Sequence, residues 1–133
     1  MSRHRFIDLA NEFCALANID QPALLLEGKP IEVDGVDFFL QYDEQFSPEH
    51  LVLYCDFGRP PAERVLEAYQ VLLEANMIVY AAGSPSFMLS PDQRVVFGYQ
   101  CQLRELKAPQ LLDIVLNLAE QAREWRAGFF LEA

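Results

Sequence analysis

The sequence predicts an α+β fold in which a twisted antiparallel sheet packs against helices. Three observations indicate this fold: an amphipathic helical pattern near each end of the chain, two groups of short strand-like segments, and a long apolar helix between those groups. The elements follow in the order α-β-β-β-α-β-β-α. Because the 133 residues contain no internal repeat and no long linker, we expect one domain spanning residues 1–133.

The first helix is predicted near the amino terminus. At 100° per residue, apolar side chains such as Phe6, Leu9 and Phe13 lie on one half of the helical wheel. Asp8 and Glu12 lie on the other half. One face of this helix is therefore expected to be buried.

Three strands are predicted after this helix, arranged as an antiparallel meander. Asp34 and Gly35 separate the first two strands, and an Asp-Gly pair between strand-like segments is typical of a type I′ hairpin turn. A polar turn follows, and the third strand is predicted over residues 51–57. Its alternate face carries Val52 and Tyr54, so both faces of this strand are partly apolar.

A second long helix is predicted after Pro61 and ends near Tyr80. Only a stripe of about 60° on its wheel is strongly polar. This stripe consists of Glu63, Glu67, Gln70 and Glu74. A single sheet cannot cover the apolar remainder, and we therefore expect this helix to lie at an oligomer interface.

Two further strands and a final helix are predicted after a break at residues 83–85. The strands are expected over residues 86–89 and 94–103, with a turn between them. Pro109 opens the last helix, and Trp125 shares its apolar face.

Composition and charge exclude several classes of partner. Twenty acidic against ten basic residues give a net charge of −10. This balance argues against nucleic acid, because affinity for a phosphate backbone comes largely from lysine and arginine. No apolar run reaches membrane-spanning length and the amino terminus lacks the apolar core of a signal peptide, so we expect a cytoplasmic protein without membrane insertion.

No catalytic or metal-binding motif occurs in the sequence. His4 and His50 have no partner at metal-ligand spacing. Cys14, Cys55 and Cys101 are widely spaced within apolar segments, which predicts buried, reduced thiols. We therefore expect no catalytic residue, no metal and no cofactor.

Three stretches of the chain together carry a family resemblance. They are VDGVDFFLQYDEQFSPEHLVLYCDFG at residues 33–58, LLEANMIVYAAGSPSFMLSPDQRVVFGYQCQL at residues 72–103 and LAEQAREWRAGF at residues 118–129. In this order they resemble the class I type III secretion chaperones, the CesT-like (Tir chaperone) family. The resemblance covers nearly the whole chain and consists of hydrophobic and turn patterns.

The resemblance implies a homodimeric, ATP-independent chaperone of the cytoplasm. Such a chaperone binds the N-terminal chaperone-binding segment of a secreted effector and keeps that segment soluble and competent for export. The effector places apolar side chains in grooves between the first helix and the sheet, and it adds a strand to a sheet edge.

The resemblance also implies positions for the site. The effector-binding groove would consist of Phe6, Ile7, Ala10, Phe13, Phe39, Val52 and Tyr54. The dimer interface on the second long helix would consist of Ala68, Val71, Leu72, Ala75 and Ile78. The opposite arc of that helix, which would cover the sheet, consists of Val65, Leu66, Tyr69, Leu73 and Met77.

Two other interpretations remain open from the residues alone. A small α+β enzyme or ligand-binding domain would use a closed apolar pocket, with Asp37 and either Tyr42 or Tyr54 as its polar groups. A generic dimeric adaptor would have the same apolar helix without a role in secretion. The chaperone interpretation instead predicts an open apolar groove on each subunit of a dimer.

Overall fold

The computed structural model of the chain describes residues 2–80, 86–128 and 131–133. Its helices are α1 (Ser2–Ala17), α2 (Pro22–Leu26), α3 (Val65–Tyr80) and α4 (Ala108–Ala127). Its strands are β1 (Ile31–Val33), β2 (Val36–Gln41), β3 (His50–Gly58), β4 (Ser86–Leu89) and β5 (Val95–Gln102). The predicted α+β fold and the order of its eight elements are confirmed, while the predicted break at residues 83–85 lies outside the described residues.

Helix α2 is an element that the sequence pattern did not predict. Pro22 lies in its first turn, where a missing N–H costs no hydrogen bond, and Gly28 follows the helix with a φ of 73°. Leu25 is buried in the core. The helix has only five residues, too few to show a helical period.

The strands form one antiparallel sheet in the order β1-β2-β3-β5-β4. The predicted hairpin turn is confirmed, because Asp34 and Gly35 have φ values of 53° and 79°. This two-residue turn sets the register of the first hairpin, in which Val33 lies opposite Val36. The central strand β3 pairs with β2 on one side and with β5 on the other.

Helices α1 and α4 cover one face of this sheet, which we call the covered face. Its central residues come from β3, and the exposed fractions of Leu51, Leu53, Cys55 and Phe57 are 0%, 1%, 0% and 0%. The alternate side chains of the strands point away from these helices. We call this second side of the sheet the open face.

An aromatic cluster joins α4 to the far end of the sheet. Phe87 of β4 packs edge-on against Phe57 and Phe97, with ring centroids 5.1 Å and 4.8 Å away. Trp125 of α4 lies 5.6 Å from Phe87. The predicted apolar role of Trp125 is confirmed, since its indole is half-buried against this cluster.

Arg126 fastens the end of α4 to the sheet through three backbone carbonyls. Its guanidinium donates hydrogen bonds to the carbonyls of Asp56, Phe57 and Gly35, at 2.9, 3.1 and 3.3 Å. Charged hydrogen bonds to carbonyl groups are stronger than neutral ones. Helix α4 is therefore held at the β1–β2 turn as well as along the sheet.

Residues 131–133 pack back onto the end of β3. Leu131 is buried, and Arg59 and Glu132 exchange two backbone hydrogen bonds of 2.7 Å. Gly58 has a φ of 115°, and a Cβ atom there would overlap the carbonyl oxygen of Glu132. This glycine is required both by its backbone conformation and by the close approach of a second chain segment.

We expect Gly58→Ala to lower the free energy of unfolding by more than Gly35→Ala does. Both glycines have positive φ, which costs alanine about 1–2 kcal/mol. Only Gly58 also meets a neighbouring backbone, whereas a Cβ at Gly35 would meet no atom within 4 Å. Urea denaturation of the two variants measures the difference.

Removing residues 131–133 provides the control for this comparison. Without Glu132 there is no overlap, so the two alanine substitutions should cost similar amounts in the shortened chain. Equal losses in the full-length chain would contradict the close approach of Glu132 to Gly58.

Candidate functional site

The open face carries an aromatic pair at its centre. Phe39 of β2 lies directly opposite Tyr54 of β3. Their rings stack with centroids 4.8 Å apart and an angle of 18° between the planes. Both side chains are only half-buried, as is the neighbouring Val52. This pair therefore presents an ordered apolar surface that no helix covers.

Met88 extends this surface across the sheet towards β4. Gly98 lies opposite Tyr54, and the methyl end of Met88 fills the space that a side chain at Gly98 would occupy. Met88 is 41% exposed, and Val96 lies directly opposite it on β5 with 7% exposed. A thioether side chain is flexible and adapts to different neighbours. We call the set of Phe39, Val52, Tyr54, Met88 and Val96 the open-face strip.

A groove runs between the end of α2 and the edge of β2, where a Cβ atom on Gly28 would lie 3.6 Å from the carbonyl oxygen of Leu40. Strand β1 pairs with β2 only from Val36 to Phe38, so residues 39–41 have a strand neighbour on the β3 side alone. The groove beside them has a volume of about 420 Å³. Its lining includes Phe6, Leu26, Gly28, Phe39, Leu40 and Tyr42. We call it the β2-edge groove, and Phe39 belongs to both this groove and the open-face strip.

Helix α3 presents a second apolar surface, which we call the α3 stripe. It consists of Leu66, Leu73, Met77 and Ile78, which are 85%, 69%, 81% and 76% exposed. Three of them lie at spacings of seven and four residues and therefore share one side of the helix. An apolar row of this exposure on a folded protomer is typical of an interface.

A family model, that of the Tir chaperone protein (CesT) family, matches residues 40–126 of the sequence. This stretch contains the open-face strip apart from Phe39, most of the sheet, α3 and nearly all of α4. The chain belongs to the Tir chaperone protein (CesT) family. The sequence resemblance is thereby confirmed, and no protein with a curated description matches the chain.

Solved structures of chaperone complexes share the fold of this CesT-family chain. A chain of the HopA1–SchA chaperone–effector complex has a TM-score of 0.72 at 19% identity, covering 92% of this chain and 94% of that one. A chain of the ExsC–ExsE complex has a TM-score of 0.71 at 17% identity, covering 98% and 97%. A chain from the complex of the Yersinia pestis type III secretion chaperone SycH with a stable fragment of YscM2 has a TM-score of 0.57 at 15% identity, covering 88% and 96%.

The seven predicted groove residues do not form one groove in this CesT-family fold. Phe6 and Phe39 line the β2-edge groove together, and Val52 and Tyr54 continue from Phe39 onto the open face. The remaining three come from α1.

Helix α1 uses its apolar face for the core, so its predicted role in the groove needs correction. Ala10 and Phe13 are 0% and 1% exposed on the covered face, and Ile7 is half-buried. A residue packed to this degree contacts a partner only if the helix detaches from the core. Phe6 is also packed in the core, with 2% of its surface exposed, although it lines the β2-edge groove.

The two predicted arcs of α3 are partly exchanged in the structure, while Ile78 of the predicted interface is exposed. Ala68 and Leu72, predicted for the interface, are 0% and 6% exposed within the protomer. Leu66, Leu73 and Met77, predicted to cover the sheet, are exposed. Val65, Tyr69, Val71 and Ala75 are half-buried. A helical wheel identifies which residues share a face, but it does not determine which of two apolar faces meets the sheet.

Asn76 ties α3 to the outer edge of β4. Its side-chain amide donates to the carbonyl of Phe87 at 3.1 Å and accepts from the N–H of Phe87 at 2.6 Å. The amide thus forms both main-chain hydrogen bonds of Phe87 that a neighbouring strand would otherwise form. An unpaired strand edge invites pairing with another chain, and Asn76 blocks this edge at Phe87.

The polar side chains that the enzyme interpretation would use are Asp37 and either Tyr42 or Tyr54, and they do not converge on a closed pocket. Asp37 is exposed on the open face. Tyr42 stacks on Phe6, and its hydroxyl donates to the carbonyl of Pro48 at 3.0 Å. Tyr54 stacks on Phe39. Among residues 2–80, 86–128 and 131–133, no group of three or more His, Cys, Asp or Glu side chains could hold a metal ion.

The three thiols are buried, as predicted. Burial raises the pKa of Cys55 to about 12 and that of Cys101 to about 11, and it also raises the pKa of Cys14. All three therefore stay protonated near neutral pH and are poor nucleophiles. In the part of the chain that the structure describes, no helix is long and apolar enough to cross a bilayer.

We expect Asn76→Ala to open the edge of β4. The variant loses both hydrogen bonds and leaves the Phe87 N–H and carbonyl without their amide partner, which costs about 1–3 kcal/mol. Amide hydrogen exchange at Phe87 should accelerate, and light scattering should detect association through the opened edge.

Asn76→Asp is the matched variant for this experiment. An ionised carboxylate still accepts from the Phe87 N–H but cannot donate to the Phe87 carbonyl. Exchange at Phe87 should therefore stay slower than in Asn76→Ala. Identical exchange in all three proteins would contradict the role of Asn76 at this edge.

Proposed function

We propose that this CesT-family chaperone binds a segment of a type III secreted effector and keeps it soluble and competent for export, without ATP. One observation carries this proposal: the open-face strip and the β2-edge groove meet at Phe39, so ordered apolar surface lies beside a part of the β2 edge that pairs with no described strand. A solved structure of the same fold, HopA1–SchA, is a chaperone–effector complex.

The effector segment binds as an additional strand beside residues 39–41. Strand addition satisfies main-chain hydrogen bonds for almost any sequence, while apolar pockets choose among side chains. The effector's alternate side chains then pack on the half-buried Tyr42 in the groove or reach Phe39 and Tyr54 on the open face. The β4 edge is unsuited to this role, because Asn76 already bonds the main chain of Phe87.

The chaperone is a homodimer that associates through the α3 stripe. A second copy of this chain covers Leu66, Leu73, Met77 and Ile78, with Tyr69 at the margin. More than two-thirds of the surface of each side chain of the α3 stripe is exposed in the protomer. Burying apolar surface in the dimer contributes about 25 cal/mol of stabilisation per Å². A symmetric dimer buries the same stripe on both subunits.

The protein acts in the cytoplasm as a binding protein without catalytic residues, metal or cofactor. Its single domain, residues 1–133, holds the effector before export and takes no part in a chemical step. Support comes from the family and from the binding surface, which is open and apolar where an enzyme would need converging polar groups.

We expect Phe39→Asp and Val52→Asp each to abolish effector binding. Either substitution puts a charge on the open-face strip, and a bound apolar segment would bury that charge without a partner. The test is co-expression with the proteins encoded beside this chain, followed by co-purification and limited proteolysis of the complex. Recovery of the effector should fall by at least about tenfold.

Asn117→Asp is the control, because it adds the same charge to an exposed position of α4. This variant should retain the effector. Binding that survives both Phe39→Asp and Val52→Asp would exclude the proposed site, and capture of a protein that is not exported would favour the adaptor interpretation.

We expect Leu73→Asp and Met77→Asp to convert the dimer into folded monomers. Both side chains are exposed in the protomer, so a charge there costs little in the monomer but opposes burial in the dimer. Light scattering measures the mass, and circular dichroism measures the fold. Leu116→Asp is the control, since it changes a partly exposed leucine on α4 and should remain dimeric. A dimer that persists in both α3 variants would contradict this interface.

A further inference from the structure

Two carboxylates face each other at the margin of the open face. Glu32 of β1 lies directly opposite Asp37 of β2, and both side chains are exposed. Like charges at directly opposite positions of an antiparallel pair destabilise the sheet. The free protein therefore maintains an unfavourable pair at this position.

Neither carboxylate has an ion-pair or hydrogen-bond partner within the described residues. The basic side chains that lead into β1 and β5 are engaged with other acids, since Lys29 pairs with Glu27 at 3.5 Å and Arg94 with Asp56 at 2.8 Å. In the described part of the chain, neither Lys29 nor Arg94 pairs with Asp37.

This acidic pair lies next to the proposed effector site. Asp37 precedes Phe39 by two residues on the same side of β2, which places the two about 7 Å apart along the strand. An extended segment that follows β2 has the same spacing between its own alternate side chains. One of its side chains can therefore reach Asp37 while another packs on Phe39.

We propose that Glu32 and Asp37 select effector segments in which a lysine or arginine lies two positions from an apolar residue. The apolar side chain packs on Phe39 and Tyr54, and the basic side chain lies between the two carboxylates. This inference rests on the proposed function and adds the chemistry of the recognised segment. A net charge of −10 favours the encounter of the same basic segments at longer range.

The repulsion in the free chaperone gives this selection its strength. A bound cation relieves the repulsion between Glu32 and Asp37 and also forms new ion pairs, so both effects favour the bound state. Residues that destabilise the fold locally occur most often at functional sites. Glu32 and Asp37 are such residues, because they place like charges opposite each other beside an exposed apolar surface.

Two labelled peptides test the proposal by fluorescence anisotropy. One repeats the triplet Lys-Thr-Phe, and the other repeats Glu-Thr-Phe at the same length. The lysine peptide should bind the wild-type chaperone at least about tenfold more tightly, and higher salt should narrow the difference. In the double variant Glu32→Gln with Asp37→Asn, the preference should largely disappear while the melting temperature rises.

The double variant Glu120→Gln with Glu124→Gln controls for net charge, because it removes two exposed carboxylates from α4. It should keep the preference for lysine. An equal loss of preference in both double variants would overturn the proposal by assigning the effect to net charge.

The remaining outcomes separate this proposal from the proposed function. Equal binding of both peptides, lost in Phe39→Asp, would overturn the selection of basic residues and leave the apolar site intact. Failure of both peptides to bind, while the effector still co-purifies, would overturn the selection and also exclude the open face as the site.

Discussion

The packing of α1 and α4 onto one face of the sheet is the constraint on which the rest of the structure depends. These helices account for the full burial of Leu51, Leu53, Cys55 and Phe57, and they leave the alternate residues of the same strand without a helical cover. Contacts between neighbouring strands order the centre of the open face. The stack of Phe39 on Tyr54 and the placement of Met88 over Gly98 are contacts of this kind. The outcome is an apolar surface that stays exposed without being loose.

The two edges of the sheet differ in which groups bond their main chains, and this difference determines where we propose the binding site. At one edge, the amide of Asn76 bonds the main chain of β4. At the other edge, β1 has only three residues, so β2 extends beyond it with no strand beside Phe39. In the proposed function, the client strand is added at the place where the apolar surface begins, and self-pairing is opposed at the other end.

Local chemistry predicted most of the fold, whereas the choice between equivalent faces required the structure. The Asp34–Gly35 turn and the strand alternation depend on neighbouring residues and were correctly predicted. Leu72 and Leu73 are chemically identical and adjacent, yet one is buried and the other is exposed. Their fates depend on how α3 crosses β4, which no periodicity encodes. The position of Glu32 opposite Asp37, in contrast, is predictable from the sequence. The two-residue turn places Val33 opposite Val36, and the next pair outward is then Glu32 with Asp37.

Charge also explains how two apolar surfaces on one small protein can serve different partners. If the open faces of two copies met, the Glu32 and Asp37 carboxylates of both would be brought together beside the buried strip, without a cation to offset them. That arrangement opposes self-association through the open face. On α3, the carboxylate of Glu74 accepts a hydrogen bond of 3.4 Å from the side-chain amide of Gln70. The carboxylate beside the α3 stripe therefore has a hydrogen-bond partner within the protomer, unlike Glu32 and Asp37. In the proposed function, the acidic margin directs the strip towards basic clients, and α3 is the surface that we propose for a second copy.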